Sequence, residues 1–292
     1  MNELRSYPDA DAALLFVSGQ SNATAHQQFL PEDERIVRPL KNVWALDRTD
    51  AQSYTTTGVT WHGYTDEGKN LGEIQDFTGS IDHYIAAAWQ AAIDAGASLP
   101  DLYIVHISVG GQGLVRGMWR EDKPEVLVPG PFYACDIGLY RLAMHTLSLV
   151  SADLKRRFSR PAAIGWHWIG SEGDSDAGVW DAPDRHERFD RFFDTQLAAI
   201  GLPCRVYFYK LVFTQCAVPG ENWPQPFQTD AVNDEFARQV GRLPDAELVT
   251  AEDCPLWDAA DPLCGVFSDD GIHYLRQTQE WFARHFLDEI AR

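Results

Sequence analysis

Short apolar runs alternate along this chain with longer stretches in which apolar side chains recur every third or fourth position. The runs at 12–17, 43–46, 102–108, 162–168, 205–212 and 247–251 predict strands. Most lack the strict apolar–polar alternation of a half-exposed strand, so they predict a parallel sheet covered by helices on both faces. The helical period appears over 81–95, 137–158, 186–200, 229–240 and 274–290. In the first of these, Ile81, Ile85, Ala88, Trp89 and Ala92 share one face; in the third, Phe189, Phe192, Phe193, Leu197 and Ile200 do. Such stripes are expected to face a core. Strands and helices in this order predict a three-layer α/β/α sandwich with a central parallel sheet, formed as a single domain over 1–292. The segments 49–79, 116–131 and 214–228, rich in Gly, Pro and aromatics, are expected to be ordered loops over one sheet edge rather than linkers.

Composition narrows the classes of partner. Apolar residues make up 45% of the 292, enough for a large core. The 43 acidic against 24 basic residues give a formal charge of -19, which opposes docking on nucleic acid or an anionic membrane. The basic cluster Lys155, Arg156, Arg157 and Arg160 falls near a predicted helix end, where it complements the helix dipole. No run is long enough to span a bilayer, and the opening Met-Asn-Glu-Leu-Arg lacks signal-peptide character, so a soluble, cytoplasmic protein is expected. The five widely spaced cysteines do not form a disulfide framework or a zinc site. Cys204 is expected to pack in the core, and Cys254 and Cys264 flank a loop short enough to bridge. Nothing in the sequence bears on oligomeric state.

Sites in open α/β sheets form beyond the carboxyl ends of the strands. Ser21, Gly110 and Gly170 each fall just after a predicted strand, and Asp270 and His273 lie in the loop before the last helix. A neutral serine hydroxyl is a poor nucleophile until a base takes its proton and a third group orients that base. Asp270 and His273, three residues apart, are able to supply both, with Asp269 as an alternative orienter. The competing readings are a helix cap for Ser21, a surface pair for Asp270 and His273, and solvated side chains for Glu172 and Asp174. His26, His62, His106 and His167 lack metal-ligand spacing and are expected to be structural or exposed.

Four blocks carry a resemblance. Leu15-Phe16-Val17-Ser18-Gly19-Gln20-Ser21-Asn22 resembles the nucleophile block of the SGNH hydrolase superfamily, and within it of the sialate O-acetylesterase-like and acetylxylan-esterase-like carbohydrate esterases. Val109-Gly110-Gly111 is similar to their second block. Trp168-Ile169-Gly170-Ser171-Glu172-Gly173-Asp174 is similar to the third, usually Trp-x-Gln-Gly-Glu-x-Asp, and Asp270-Gly271-Ile272-His273 to the last. The resemblance implies a flavodoxin-like fold, Ser21 as nucleophile, His273 as base and Asp270 as its orienter. It implies backbone oxyanion donors at Ser21 and at Gly110 or Gly111, with Gln20, Asn22, Glu172 and Asp174 in support. It implies no metal and no cofactor. Gly170 departs from the pattern, which has there a Gln whose side chain donates to the oxyanion. Ser171 is the nearest replacement by sequence.

The substrate expected on this basis is an acetylated saccharide or another small acyl ester. Trp61, Trp119, Trp180 and Trp223 are candidates for stacking sugar rings. The alternatives are an inactive carbohydrate-binding module on the same fold, favoured by the Gly170 departure, and a thioesterase or lipase, which would want a broad apolar groove.

Overall fold

In a computed structural model, residues 10–46, 58–115, 117–122, 138–175, 183–213 and 227–291 are described. Seven strands form one sheet: β1 (Ala12–Gly19), β2 (Val43–Leu46), β3 (Trp61–Gly63), β4 (Asp101–Ser108), β5 (Pro161–Ile169), β6 (Val206–Tyr209) and β7 (Ala246–Val249). Their order is β3-β2-β4-β1-β5-β6-β7, with every neighbouring pair parallel except β2 and β3. The helices are a single turn, α1 (Ser21–Thr24), then α2 (Ile81–Asp94), α3 (Leu139–Arg157), α4 (Arg185–Ile200), α5 (Thr229–Arg242) and α6 (Arg276–Ile290). α2 packs with α6 and α3 with α4, giving the two outer layers of the α/β/α sandwich.

β1 lies at the centre of the sheet, and all eight of its residues are buried. That accounts for its unbroken apolar run. Its carboxyl end is the topological switch point. The chain passes from β1 to one side of the sheet for β2, β3 and β4, then to the other side for β5, β6 and β7. Helix stripes meet the sheet through an aromatic core in which Trp166, Trp168, Phe192, Phe193 and Phe208 pack at ring separations of 4.8–6.0 Å. Among the described residues no helix is long and apolar enough to cross a membrane.

Three departures from the sequence expectation have local causes. β6 ends at Tyr209 because the Asn233 side chain captures both the N–H and the carbonyl of Leu211, each at 2.8 Å. α6 begins at Arg276 because Tyr274 pairs with Phe267 and the Leu275 N–H donates to Val266 O at 2.8 Å. The segment 49–79, expected to be loop, contains the antiparallel edge strand β3. It also contains a stretch beside β4: Asn70 bridges His106, and the Glu73 N–H donates to Ser108 O at 2.9 Å. Cys204, Cys254 and Cys264 are free thiols, so Cys254 and Cys264 do not bridge their loop. Burial pushes the Cys204 thiol up to about 12. Cys135 and Cys216 lie outside the described residues.

Candidate active site

The turn that carries Ser21 is built on Gly19, the last residue of β1. Its φ is +142°, and a Cβ there would sit 1.9 Å from Ile169 O, so no other residue fits the approach of β1 to β5. Gln20 is extended and precedes the helical turn; Ser21 lies inside α1, half-buried, and is not its cap. The turn closes with the His26 N–H donating to Ser21 O at 2.9 Å and Ala25 in the left-handed region at φ 55°.

The second component is a tight turn over Ser268 to His273. The Ser268 N–H donates to His273 O at 2.8 Å, and Gly271 adopts φ +73°. Asp270 Oδ1 accepts from Ser268 Oγ at 2.8 Å and from the N–H groups of Ile272 and His273, both at 2.9 Å. Its other oxygen, Oδ2, pairs with His273 Nδ1. Burial works against the Asp270 charge, but these bonds outweigh it and hold the carboxyl well below the usual carboxylate range. Asp269, the alternative orienter, is exposed.

Asn22 joins the two components. Its Nδ2 donates to Ile272 O at 3.0 Å and to Glu172 Oε1 at 2.7 Å, and its Oδ1 accepts from the Tyr274 N–H at 2.8 Å. The residues on both sides of His273 are therefore bonded to the residue after Ser21. The His26 and His273 rings lie 4.8 Å apart, tilted by 40°. Glu172 Oε2 is sealed from solvent without a hydrogen-bond partner. Burial pushes the Glu172 carboxyl up, against the opposing pull of Asn22 and His273.

The remaining motif residues tie loops together. The Gln20 side chain is buried and accepts from the Gly173 N–H at 3.1 Å. Asp174 is fully buried and accepts from the N–H groups of Leu114 and Val115, both at 2.9 Å, which locks the loop after β5 to the loop after β4. At Gly170 a Cβ would lie 3.1 Å from Gly19 Cα and 3.3 Å from Gln20 N. The loop here lies close against the end of β1. Ser171, at φ 78° and fully buried, turns its hydroxyl to the Trp168 indole N–H at 3.3 Å.

At the second block, Gly110 is adjacent to Ser21: a Cβ on Gly110 would lie 3.5 Å from Ser21 Cβ. Its N–H donates to Glu73 Oε2 at 2.8 Å. Gly111 is exposed, with φ +71°. Neither Glu73 nor His26 stands out in the sequence as a site residue. Glu73 arrives through the pairing of 70–73 with the end of β4, and no motif announces it.

Beneath the turn is a buried polar network. Thr24 Oγ1 bonds Ser108 Oγ at 2.9 Å, Ser108 Oγ bonds His106 Nε2 at 2.8 Å, and His106 Nδ1 lies 3.1 Å from Asp82 Oδ1. Lys69 lies 3.3 Å from Asp66 and 3.7 Å from Asp82. Burial opposes the Asp82 charge, but Lys69 and His106 hold its carboxyl well below the usual range. His106 and His167 are buried, as expected. Trp119 is not a sugar platform: it is fully buried, its indole N–H donating to Gly19 O at 3.1 Å. Trp61 sits on β3 and donates to Asp153 at 3.0 Å, while Trp180 and Trp223 lie outside the described residues. Among the described residues, one group has metal-ligand chemistry: Glu247, His285 and Glu289, with donor atoms within 4.8 Å of one another. Arg205 already pairs both carboxylates, at 3.5 and 3.2 Å.

No protein-family profile matches the chain, and no curated protein matches it in sequence. Solved structures share its architecture, two of them as follows. One is NanS, with a TM-score of 0.63 and 15% identity, covering 97% of this chain and 98% of the other. The second is the protein AT4G34215 of Arabidopsis thaliana, with a TM-score of 0.54 and 15% identity, covering 95% and 98%. The likeness is one of fold, a central sheet flanked by helices in a three-layer α/β/α arrangement.

Proposed function

We propose that the protein is a serine esterase that removes O-acetyl groups from an acetylated carbohydrate. The observation that carries this reading is the Asp270–His273 pair, held beside the Ser21 turn by Asn22. His273 takes the Ser21 proton as Ser21 Oγ attacks the ester carbonyl carbon. Asp270 fixes the ring with Nδ1 protonated, so that Nε2 is the basic atom, and it stabilises the imidazolium. The carbonyl oxygen becomes an oxyanion, for which the Ser21 N–H and the Gly110 or Gly111 N–H are the backbone donors in this reading. The tetrahedral intermediate collapses, the carbon–alkoxy bond breaks, and His273 returns the proton to the departing sugar oxygen. Water, deprotonated by the same histidine, then releases acetate from Ser21.

The Ser171 hydroxyl accepts from the Trp168 indole N–H, which leaves its own proton uncommitted, so this bond does not decide against Ser171 as a replacement for the absent Gln side chain. The test is covalent labelling by a serine-directed phosphonate, read by peptide mass analysis. It is paired with acetate release from a panel of acetylated glycans. An adduct on Ser21 and loss of turnover in Ser21→Ala are expected. Full turnover in Ser21→Ala would remove the assignment.

A further inference from the structure

The Gly110 N–H, the donor that the esterase reading assigns to a reacting carbonyl, already has a ligand of its own. Glu73 Oε2 accepts from it at 2.8 Å. Glu73 is 8% exposed, and its backbone is fixed against β4 by the bond from its N–H to Ser108 O. Its other carboxylate oxygen lies 3.9 Å from His26 Nδ1, which is buried without a hydrogen-bond partner. His26 in turn packs against the ring of His273. The carboxylate therefore caps the Gly110 N–H beside Ser21, with an unsatisfied imidazole nitrogen 3.9 Å from its other oxygen.

We propose that Glu73 is a specificity-determining residue that keeps anions off the oxyanion donor. The inference rests on the esterase reading in treating Gly110 as a donor to the reacting carbonyl. A neutral ester displaces the Glu73 carboxylate from Gly110 toward His26, whose free nitrogen lies on the far side of it. A free carboxylate, or an acyl chain ending in one, meets the same displacement together with repulsion between two like charges. At roughly 5 Å, in surroundings between bulk water and a protein interior, that repulsion corresponds to about tenfold or more in binding. The substrate class is thereby narrowed to esters of uncharged acyl groups, and product acetate is kept from accumulating on the site.

The experiment compares the wild-type protein with Glu73→Gln, which keeps size and an acceptor oxygen but removes the charge. Binding of sodium acetate and of its neutral analogue acetamide is measured by titration calorimetry. Acetate binding is expected to tighten about tenfold or more in the variant, with acetamide changed by less than about threefold. Turnover of an aryl hemisuccinate is expected to rise relative to that of the aryl acetate by a similar factor. An acetate-to-acetamide ratio unchanged between the two proteins overturns the proposal, as does acetate that binds neither. Labelling of Ser21 by the phosphonate is read separately. If labelling and turnover are absent while the binding ratio shifts, the esterase reading falls and the role of Glu73 in anion exclusion stands. If labelling is intact and the ratio does not move, the inference alone fails.

Discussion

Replacing Asn22 with Ala removes three hydrogen bonds from a residue that is 2% exposed: those to Glu172 Oε1, Ile272 O and the Tyr274 N–H. At about 1 kcal/mol net for each bond, the direct loss is about 3 kcal/mol. The partners left behind are less able to find water than surface groups, which raises the expected cost to about 3–5 kcal/mol. Typical domains are stable by about 5–15 kcal/mol, so the variant should still fold near room temperature. The effect on catalysis is separable, because Ile272 and Tyr274 flank His273. Releasing both lets the imidazole drift, and a misplacement of about 1 Å can cost on the order of a hundredfold in rate. The assay pairs urea unfolding with steady-state kinetics on an aryl acetate. The expected result is a fall in the urea midpoint together with a large drop in kcat and little change in KM. A variant that keeps kcat within about twofold would refute the clamp as a positioning device, even if stability falls as expected.

Asp270→Asn should lower kcat on the order of 10⁴-fold while the fold survives, and His273→Ala should lower it at least as much; small losses in both would remove the pair from the mechanism. Gly19→Ala forces a Cβ to within 1.9 Å of Ile169 O, so thermal scans should show a fold severely weakened or lost, and a melting temperature within a few degrees of wild type would contradict the geometry. His167 is fully buried and shares a hydrogen bond of 2.7 Å with Tyr209, and burial lowers its pKa from 6.5 to about 3. Its protonation therefore favours the unfolded chain: the stability it contributes is complete above pH 6.5 and is lost as pH falls toward 3, by up to about 1.4 kcal/mol per pH unit. Urea unfolding followed from pH 7 to 4 should show a shallower decline in His167→Phe than in wild type, and parallel curves would count against this assignment.

The layered architecture was legible because buried parallel strands leave long apolar runs, as in 12–17, and because covering helices keep their stripes, as in 186–200. Ser21, Asp270 and His273 stand out in the sequence because short motifs carry them, and the structure sets the Asp270–His273 pair beside the Ser21 turn. Glu73 was not, because its place depends on 70–73 pairing with β4, a tertiary event that leaves no period in the chain. Trp119 was misread for the related reason that an aromatic residue in a loop looks the same in sequence whether it faces a sugar or seals the underside of a turn. The edge strand β3 is three residues long, too short to show any alternation.

The Asn22 clamp spans nearly the whole chain: its bonds to Ile272, Tyr274 and Gln279 cross 250, 252 and 257 residues. A ribosome adding about 5–20 residues per second leaves the emerging Ser21 waiting roughly 12–50 s for its histidine. In the esterase reading, the nascent polypeptide holds the Ser21 hydroxyl for that time without the base that would activate it. A chain released before His273 lacks that base altogether. In that reading competence follows the synthesis of residues 272–279, about 250 residues after the Ser21 turn has formed.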